Sequence, residues 1–257
     1  GGEVETVAQL MSIYLRLHGV PRWSPSTYRS NCGLIQHYIL PCMGDMRLSE
    51  LSPRTVAALY SRMLEEPRIS SPYHKQSGQK LSPTTLRSIH KVLHSAFEQA
   101  VLWEYVDRNP FHRAPLPTCR PKQKAFLTPE QIKQLVLHCP STLALAIHLT
   151  FAASLRKGEL LALTWQDIDF SRNTLRIDKT LARIGRDAVN QVNQREILHR
   201  FPPVGGRQRT VLVLKQPKTE SSVRTVYLPP SLMTLLKQSR PAGWETGGQP
   251  SPHLIFA

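Results

Sequence analysis

The sequence predicts a mainly α-helical chain with a small antiparallel β-sheet, an α+β fold that is divided between two domains. Apolar residues recur at helical spacing through most of the chain, and several helix starts are marked by a hydroxyl residue followed by proline. Alternating and β-branched runs come only after residue 170. A length of 257 residues with 40% hydrophobic content allows one large or two ordinary domains, each with a packed core.

Residues 1–106 are predicted to form a bundle of four helices. The first helix has Leu10, Tyr14 and Leu17 on one stripe and is predicted to end near Gly19. The later helices begin where a capping hydroxyl precedes a proline that lacks the N–H the first turn would leave unpaired. These starts, including one in the second domain, are Ser24-Pro25, Ser52-Pro53, Ser82-Pro83 and Thr128-Pro129.

Residues 125–257 are predicted to combine helices with the small sheet. The predicted helices cover 129–139, 142–155, 157–163 and 231–238, and the predicted strands cover 174–178, 210–214 and 223–228. The polar turn between the last two strands indicates a hairpin with Lys218 at its tip. Residues 186–209 hold two prolines and two glycines in their middle, which we interpret as a flexible basic insertion.

Residues 107–124 are predicted to be an extended basic linker between the domains. Four prolines prevent a helix there, and the segment contains five basic residues but only one acidic residue. Such a segment is either a solvated tether or is laid along phosphates. The second interpretation is favoured because both flanking domains are basic.

The charge of the chain points to a polyanionic partner. Lys and Arg number 33 against 18 Asp and Glu, which gives a formal net charge of +15. The four cysteines are scattered without metal-ligand spacing, which excludes an ordinary zinc module and argues against a disulfide scaffold. The most apolar stretch, residues 141–155, is too short to span a bilayer.

The helix that begins at Pro83 carries Arg87, Lys91 and His94 on one face, opposite its apolar stripe. A basic helical face of this kind suits the major groove of DNA, although charged faces are commonly only solvated. The net charge favours DNA. Arg29, on the helix that begins at Pro25, belongs to a weaker second face.

Two further positions remain ambiguous from the residues alone. Arg156 lies at the junction of two helices, where we expect it to be partly buried and held by Glu159. That pair is either functional or a structural cap. Lys218 is either a functional group or ordinary decoration of a hairpin tip.

Taken in order, the motifs resemble those of the tyrosine recombinases, or phage integrases, from Val7 to the end of the chain. The amino-terminal motifs are Ser-Thr-Tyr28-Arg29, Ile39-Leu-Pro-Cys-Met-Gly-Asp45, Leu81-Ser-Pro-Thr-Thr-Leu86 and Arg108-Asn-Pro110. The carboxy-terminal motifs are Phe126-Leu-Thr-Pro-Glu130, Ser154-Leu-Arg-Lys-Gly-Glu159 and Pro217-Lys-Thr-Glu-Ser-Ser-Val-Arg224. The resemblance implies a SAM-like helical core-binding domain followed by a catalytic domain that is incomplete at its C-terminus.

The resemblance also implies a function: a site-specific recombinase or integrase of a bacterial mobile element or prophage. It would act in the cytoplasm on double-stranded DNA core sites, as a tetramer on paired sites, with no cofactor, metal, membrane or small-molecule substrate. A tyrosine would cleave one strand through a 3′-phosphotyrosyl link. A non-catalytic, sequence-specific DNA-binding regulator is the alternative.

The same resemblance assigns roles to the ambiguous positions. Arg156 matches the first catalytic arginine and Lys218 the catalytic lysine, while Glu159 would orient Arg156. The remaining basic residues of the predicted surfaces are expected to contact DNA. The predicted DNA contacts are Arg29, Arg87, Lys91, His94, Arg120, Lys122, Lys124, Lys215 and Arg224.

The family's remaining catalytic residues, including its tyrosine nucleophile, are expected beyond the point that matches 253–257. We therefore expect this 257-residue polypeptide to bind DNA without cleaving it. Mixed with a suicide DNA substrate, it should give no covalent protein–DNA adduct on a denaturing gel. A trapped adduct would contradict the assignment.

Overall fold

The computed structural model describes residues 4–65, 80–119, 125–191, 196–202, 209–217, 219–241 and 254–256. The chain divides into two compact units. The first contains residues 1–122 and 187–193, and the second contains residues 123–186 and 194–257. Each unit encloses a hydrophobic core of its own.

The first unit is built from helices. They are α1 (Val7–Tyr14), α2 (Val20–Arg22), α3 (Pro25–Leu34), α4 (Leu40–Met43), α5 (Pro53–Glu65) and α6 (Pro83–Leu102). Two wider π-helical turns, Leu15–Gly19 and Ile35–Ile39, join α1 to α2 and α3 to α4. Capping hydroxyls of Ser24 and Ser82 accept backbone N–H groups at the starts of α3 and α6, as local sequence predicts.

The predicted end of the first helix near Gly19 is wrong, because the helix continues through the π turn to Arg22. Gly19 keeps a right-handed helical backbone, with φ −68°. A Cβ there would lie 2.9 Å from the ring of Trp23. The glycine therefore serves close packing of an aromatic ring rather than termination of the helix.

Helix α6 is the centre of the first core, with Leu86, Ile89, Leu93 and Phe97 inaccessible to solvent. It packs against α1, α3 and α5. The Tyr14 hydroxyl, whose ring is buried in this core, donates to Ser95 Oγ over 2.7 Å.

After α6 the chain reverses at Glu104, which has a positive φ of 62°. Residues 107–119, here called the return segment, then run back alongside α6. Asn109 Nδ2 donates to the carbonyl of His94 over 3.0 Å. Seven residues nearer the start of α6, Arg87 Nε donates to Pro117 O, also over 3.0 Å.

The return segment also contributes to the core. Phe111 is fully buried, and its ring lies 4.9 Å from that of Phe97 between centroids. The return segment is the described part of the stretch predicted as a linker. Residues 120–124, with Arg120, Lys122 and Lys124, lie outside the described residues.

The second unit combines helices with two sheets. Its helices are α7 (Pro129–His138), α8 (Ser141–Ala153), α9 (Lys157–Ala162) and α11 (Pro230–Ser239), while the short α10 (Arg186–Gln191) spans the point where the chain leaves this unit. The strands are β1 (Ile168–Asp169), β2 (Thr174–Ile177), β3 (Thr180–Gly185), β4 (Ile197–Arg200), β5 (Thr210–Lys215) and β6 (Arg224–Tyr227). None of the helices described is both long and apolar enough to cross a membrane.

The strands form two antiparallel three-stranded sheets, in the orders β1-β2-β6 and β3-β5-β4. The predicted hairpin between β5 and β6 is therefore wrong: in the described sheets, β5 pairs with β3 and β4, and β6 pairs with β2. The β2–β6 ladder ends at the pair Ile177–Arg224. The β3–β5 ladder begins at the pair Thr180–Lys215, three residues further along the chain from Ile177. Between these two ladders, β2 and β3 are separated by Asp178 and Lys179, and the connection from β5 to β6 is described over residues 216–217 and 219–223.

The middle of residues 186–209 was predicted to be a flexible basic insertion, which is wrong for its described residues 196–202. They contain the edge strand β4, which pairs with β5 through an irregular register between Ile197 and His199. Residues 192–195 and 203–208 lie outside the described residues. The strand β4 was missed because the nearby prolines and glycines favour a loop. Its partner is set by tertiary pairing, which local composition does not report.

We expect Phe111→Ala to lower the free energy of unfolding of the first unit by about 3–5 kcal/mol, because a buried aromatic ring is replaced by a cavity. Urea denaturation of the whole chain measures this. Phe126→Ala, at an exposed ring, is the control and should change stability by less than about 0.5 kcal/mol. Equal effects would show that the return segment is not part of the core.

Candidate active site

The site is built where α8 gives way to α9. Helix α8 ends at Ser154, whose left-handed backbone (φ 49°, ψ 47°) reverses the chain. Leu155 is then buried, and Arg156 adopts an extended conformation at the N-cap of α9. The backbone thereby fixes where the Arg156 side chain begins.

The Glu159 carboxylate accepts two hydrogen bonds from Arg156. The backbone N–H of Arg156 donates to Glu159 Oε2 over 3.0 Å, which caps α9, and Arg156 Nη1 donates to Oε1 over 2.9 Å. The expectation that Arg156 is partly buried is wrong, because its side chain is 73% exposed while that of Glu159 is only 8% exposed. The carboxylate occupies the interior, and the guanidinium reaches outward from it.

A second arginine meets the same carboxylate from β6. Arg224 Nη2 donates to Glu159 Oε2 over 2.9 Å and lies 3.4 Å from the carbonyls of Ala153 and Ser154. Arg224 was predicted to contact DNA, and that role stays a prediction. The structure shows its guanidinium engaged with groups that shape the α8–α9 junction.

These bonds set the protonation state of Glu159. Burial alone would raise the pKa of its carboxyl, but the bonds from Arg224 and Arg156 outweigh burial and leave the pKa below its ordinary value. The carboxylate is therefore ionised at neutral pH and available to both guanidinium groups.

Gly158 lets α9 approach β3 closely enough for this arrangement. A Cβ at Gly158 would lie 2.3 Å from Thr180 Oγ1 and 3.2 Å from the carbonyl of Leu181. A side chain there would require the Thr180 hydroxyl to move aside and the Leu181 carbonyl to shift by a few tenths of an ångström. The Lys-Gly-Glu sequence thus places Glu159 against the sheet.

Arg156 opens on a cavity of about 450 Å³ between α9 and the strand ends. The cavity is lined by Arg156, Glu159, Ile177, Lys179, Thr180, Lys215, Pro217, Thr219 and Ser222. Lys215, one of the predicted DNA contacts, is therefore beside Arg156. Lys218 lies outside the described residues, whereas Pro217 and Thr219 on either side of it belong to this wall.

Sequence reasoning missed Lys179, which shares the cavity with Arg156. Its side chain is 16% exposed, and its ammonium contacts the carboxylates of Asp167 and, over 3.2 Å, Asp178. Asp167 also accepts the backbone N–H of Thr164 over 2.7 Å. Lys179 is thus an internal cross-link. Its contact with Asp167 spans twelve residues, so no local sequence pattern predicts it.

The predicted DNA contacts of the first unit differ in their surroundings. Arg29 and Lys91 are exposed. Arg87 is half-buried through its bond to Pro117, and the His94 imidazole lies 3.8 Å from the carboxylate of Glu98. Of the predicted DNA contacts that the structure describes, Arg29, Lys91 and Lys215 have no side-chain hydrogen bond or ion pair to another described residue and stay candidates for contact with a polyanion.

Two family models match this chain. The model described as "Phage integrase family" matches residues 125–239, and the one described as "Phage integrase, N-terminal SAM-like domain" matches residues 6–64. The chain belongs to the phage integrase family of tyrosine recombinases. The family predicted from the motifs is confirmed, and so is the predicted mainly α fold with small antiparallel sheets.

Relatives of known name agree with this assignment. The chain is 28% identical over 176 residues to "Tyrosine recombinase XerC-like" of Caldanaerobacter subterraneus subsp. tengcongensis, covering 65% of this chain and 41% of that protein. It is 25% identical over 237 residues to the ICEBs1 integrase of Bacillus subtilis, covering 91% and 54%. The chain thus spans about half or less of the length of these relatives.

Solved structures share the fold. The Tn1549 transposon integrase, in complex with transposon right end DNA, matches with a TM-score of 0.71 at 18% identity, over 98% of this chain and 71% of that one. A lambda integrase dimer bound to a COC′ core site matches with a TM-score of 0.52 at 18% identity, over 68% and 46%.

We expect Glu159→Gln to lower the free energy of unfolding of the second unit by about 2 kcal/mol at pH 7, because it weakens bonds to two guanidinium groups. Since the folded-state pKa of Glu159 lies below its unfolded value, the wild-type contribution is complete above the unfolded pKa and is lost as pH falls through the folded one. The variant should lack that pH-dependent loss.

Urea denaturation between about pH 3 and pH 7 measures both effects. Glu130→Gln, an exposed glutamate in the first turn of α7, is the matched control and should stay within about 0.5 kcal/mol of wild type. If Glu159→Gln kept the wild-type difference in stability between pH 7 and pH 3, the ionised Glu159 network would not contribute.

Proposed function

We propose that this chain works in a site-specific DNA recombinase, an integrase of a bacterial mobile element or prophage that acts in the cytoplasm on double-stranded DNA. One observation carries the proposal. The Arg156 guanidinium is fixed by a buried carboxylate yet opens on a cavity whose wall also bears Lys215 and the residues flanking Lys218. The wall therefore suits a phosphate.

Arg156 is proposed to bind the scissile phosphate. A planar guanidinium binds two non-bridging phosphate oxygens at once, and its charge stabilises the five-coordinate phosphorus as negative charge builds there. Glu159 takes a bond from Nη1, and the side chain is otherwise largely open to the cavity. Glu159 is accordingly a positioning residue, since it holds the guanidinium without meeting the phosphate.

Lys218 is proposed to protonate the leaving group. In the reaction that the family resemblance implies, a tyrosine hydroxyl attacks the phosphorus, a 3′-phosphotyrosyl bond forms, and the 5′-oxygen departs. An ammonium within reach of that oxygen supplies the proton it needs. The flanking residues Pro217 and Thr219 support this role because both line the cavity that Arg156 enters.

The rest of the chain is proposed to hold duplex DNA through its phosphates and to form a tetramer on paired core sites. The net charge of +15 and the exposed Arg29 and Lys91 support phosphate binding. Assembly on DNA is supported by a solved lambda integrase tetramer bound to a Holliday junction, which matches this chain with a TM-score of 0.53.

Binding is tested with this polypeptide and a fluorescently labelled duplex, by anisotropy over a range of salt concentrations. We expect affinity to fall linearly on a log–log plot, and Arg156→Ala to reduce the slope by about one, since one phosphate contact is lost. Arg172→Ala removes a comparably exposed charge of the same unit, 82% against 73% for Arg156, that does not line the cavity, and it should leave the slope unchanged. A flat salt response would contradict phosphate binding.

Catalysis is tested with the complete gene product. Arg156→Lys should keep DNA binding, because the charge remains, and lose strand cleavage, because the bidentate geometry is gone. A denaturing gel with a suicide substrate separates the two. Equal loss of both would favour a structural role for Arg156, and binding without cleavage by the wild type would favour a DNA-binding regulator.

A further inference from the structure

The first unit holds a cluster of metal-ligating side chains that the recombinase chemistry does not use. We propose that His94 and Glu98 of α6 and His112 of the return segment bind a divalent transition metal ion, with Zn²⁺ as the preferred ion. One ligand atom from each lies within 4.8 Å of the others. These three residues belong to the first unit, whereas the residues that line the Arg156 cavity belong to the second.

The spacing of the two helical ligands suits one ion. His94 and Glu98 are four residues apart and therefore lie on one face of α6. His94 Nε2 lies 3.8 Å from Glu98 Oε1. Two ligands of a tetrahedral zinc, each at about 2.0–2.1 Å, are separated by roughly 3.4 Å. Small rotations of these partly exposed side chains close the remaining distance.

The third ligand comes from a separate stretch of chain. The His112 ring stacks on that of His94, with centroids 5.8 Å apart and planes 29° apart. Phe111 anchors the neighbouring backbone because it is fully buried in the core. The position of His112 is thus set by packing as well as by the loop.

Hydrogen bonds of Asn109 orient the Glu98 carboxylate. Asn109 Nδ2 donates to Glu98 Oε1 over 2.7 Å and to the His94 carbonyl over 3.0 Å, while Asn109 Oδ1 accepts the Phe111 N–H over 2.9 Å. Metal-ligating carboxylates are commonly held in this way by outer hydrogen bonds. Asn109 therefore ties all three ligand positions together.

The donor set indicates the ion. Two imidazoles and one carboxylate are borderline ligands that favour zinc and its transition-metal neighbours over Mg²⁺ or Ca²⁺, which prefer oxygen throughout. Three protein ligands leave a fourth position for water. The bound ion would cross-link α6 to the return segment and stabilise the first unit by linkage.

The test uses tag-free protein with Zn²⁺ and, as a spectroscopic substitute, Co²⁺. We expect one equivalent of Zn²⁺ to bind in calorimetry and to raise the melting temperature. Bound Co²⁺ should give visible d–d bands without a thiolate charge-transfer band. A charge-transfer band would assign the ion to the free cysteines and overturn the proposal, as would the absence of binding.

His112→Gln should weaken Zn²⁺ binding by at least about tenfold and abolish the shift in melting temperature. His138→Gln is the matched control, since that imidazole lies in the second unit and contacts only its own helix carbonyl, Gln134 O, over 2.9 Å among its described bonds. Glu98→Gln, at an exposed side chain, should also weaken binding and guards against misfolding of the first variant. Unchanged affinity in both ligand variants would refute the site.

Discussion

The second unit depends on one buried carboxylate. Glu159 accepts the backbone N–H and a guanidinium N–H of Arg156, and it also accepts a guanidinium N–H of Arg224. These bonds join the α8–α9 junction to the strand β6, which lies more than 60 residues further along the chain. A buried charge is tolerated only when it is paired in this way, so the pairing and the local fold require each other.

The basic side chains around the cavity therefore differ in how fully they are paired with carboxylates. Lys179 is neutralised by two carboxylates, and Arg224 is engaged with Glu159 and backbone carbonyls. Arg156 gives only part of its guanidinium to Glu159 and stays largely exposed. A group that is held at its base and open at its tip suits a phosphate, because little ordering is needed when the ligand arrives.

Interactions between residues close in sequence could be predicted, and interactions between distant segments could not. Helix starts such as that at Pro83 were predictable because capping is local, and the bond between Arg156 and Glu159 because three residues separate them. The bond of Arg224 to the same carboxylate was not, since Arg224 is 65 residues away from Glu159. The pairing of β5 with β3 and β4 and the contact of Lys179 with Asp167 also join distant segments, so local composition does not predict them.

The guanidinium held by Glu159 is proposed to bind a DNA phosphate, and a structure of this polypeptide in complex with duplex DNA would show whether it does. We expect a backbone phosphate in the cavity, with two of its oxygens within hydrogen-bonding distance of Arg156. A DNA path that leaves Arg156 in solvent and passes over another face of the second unit would contradict it.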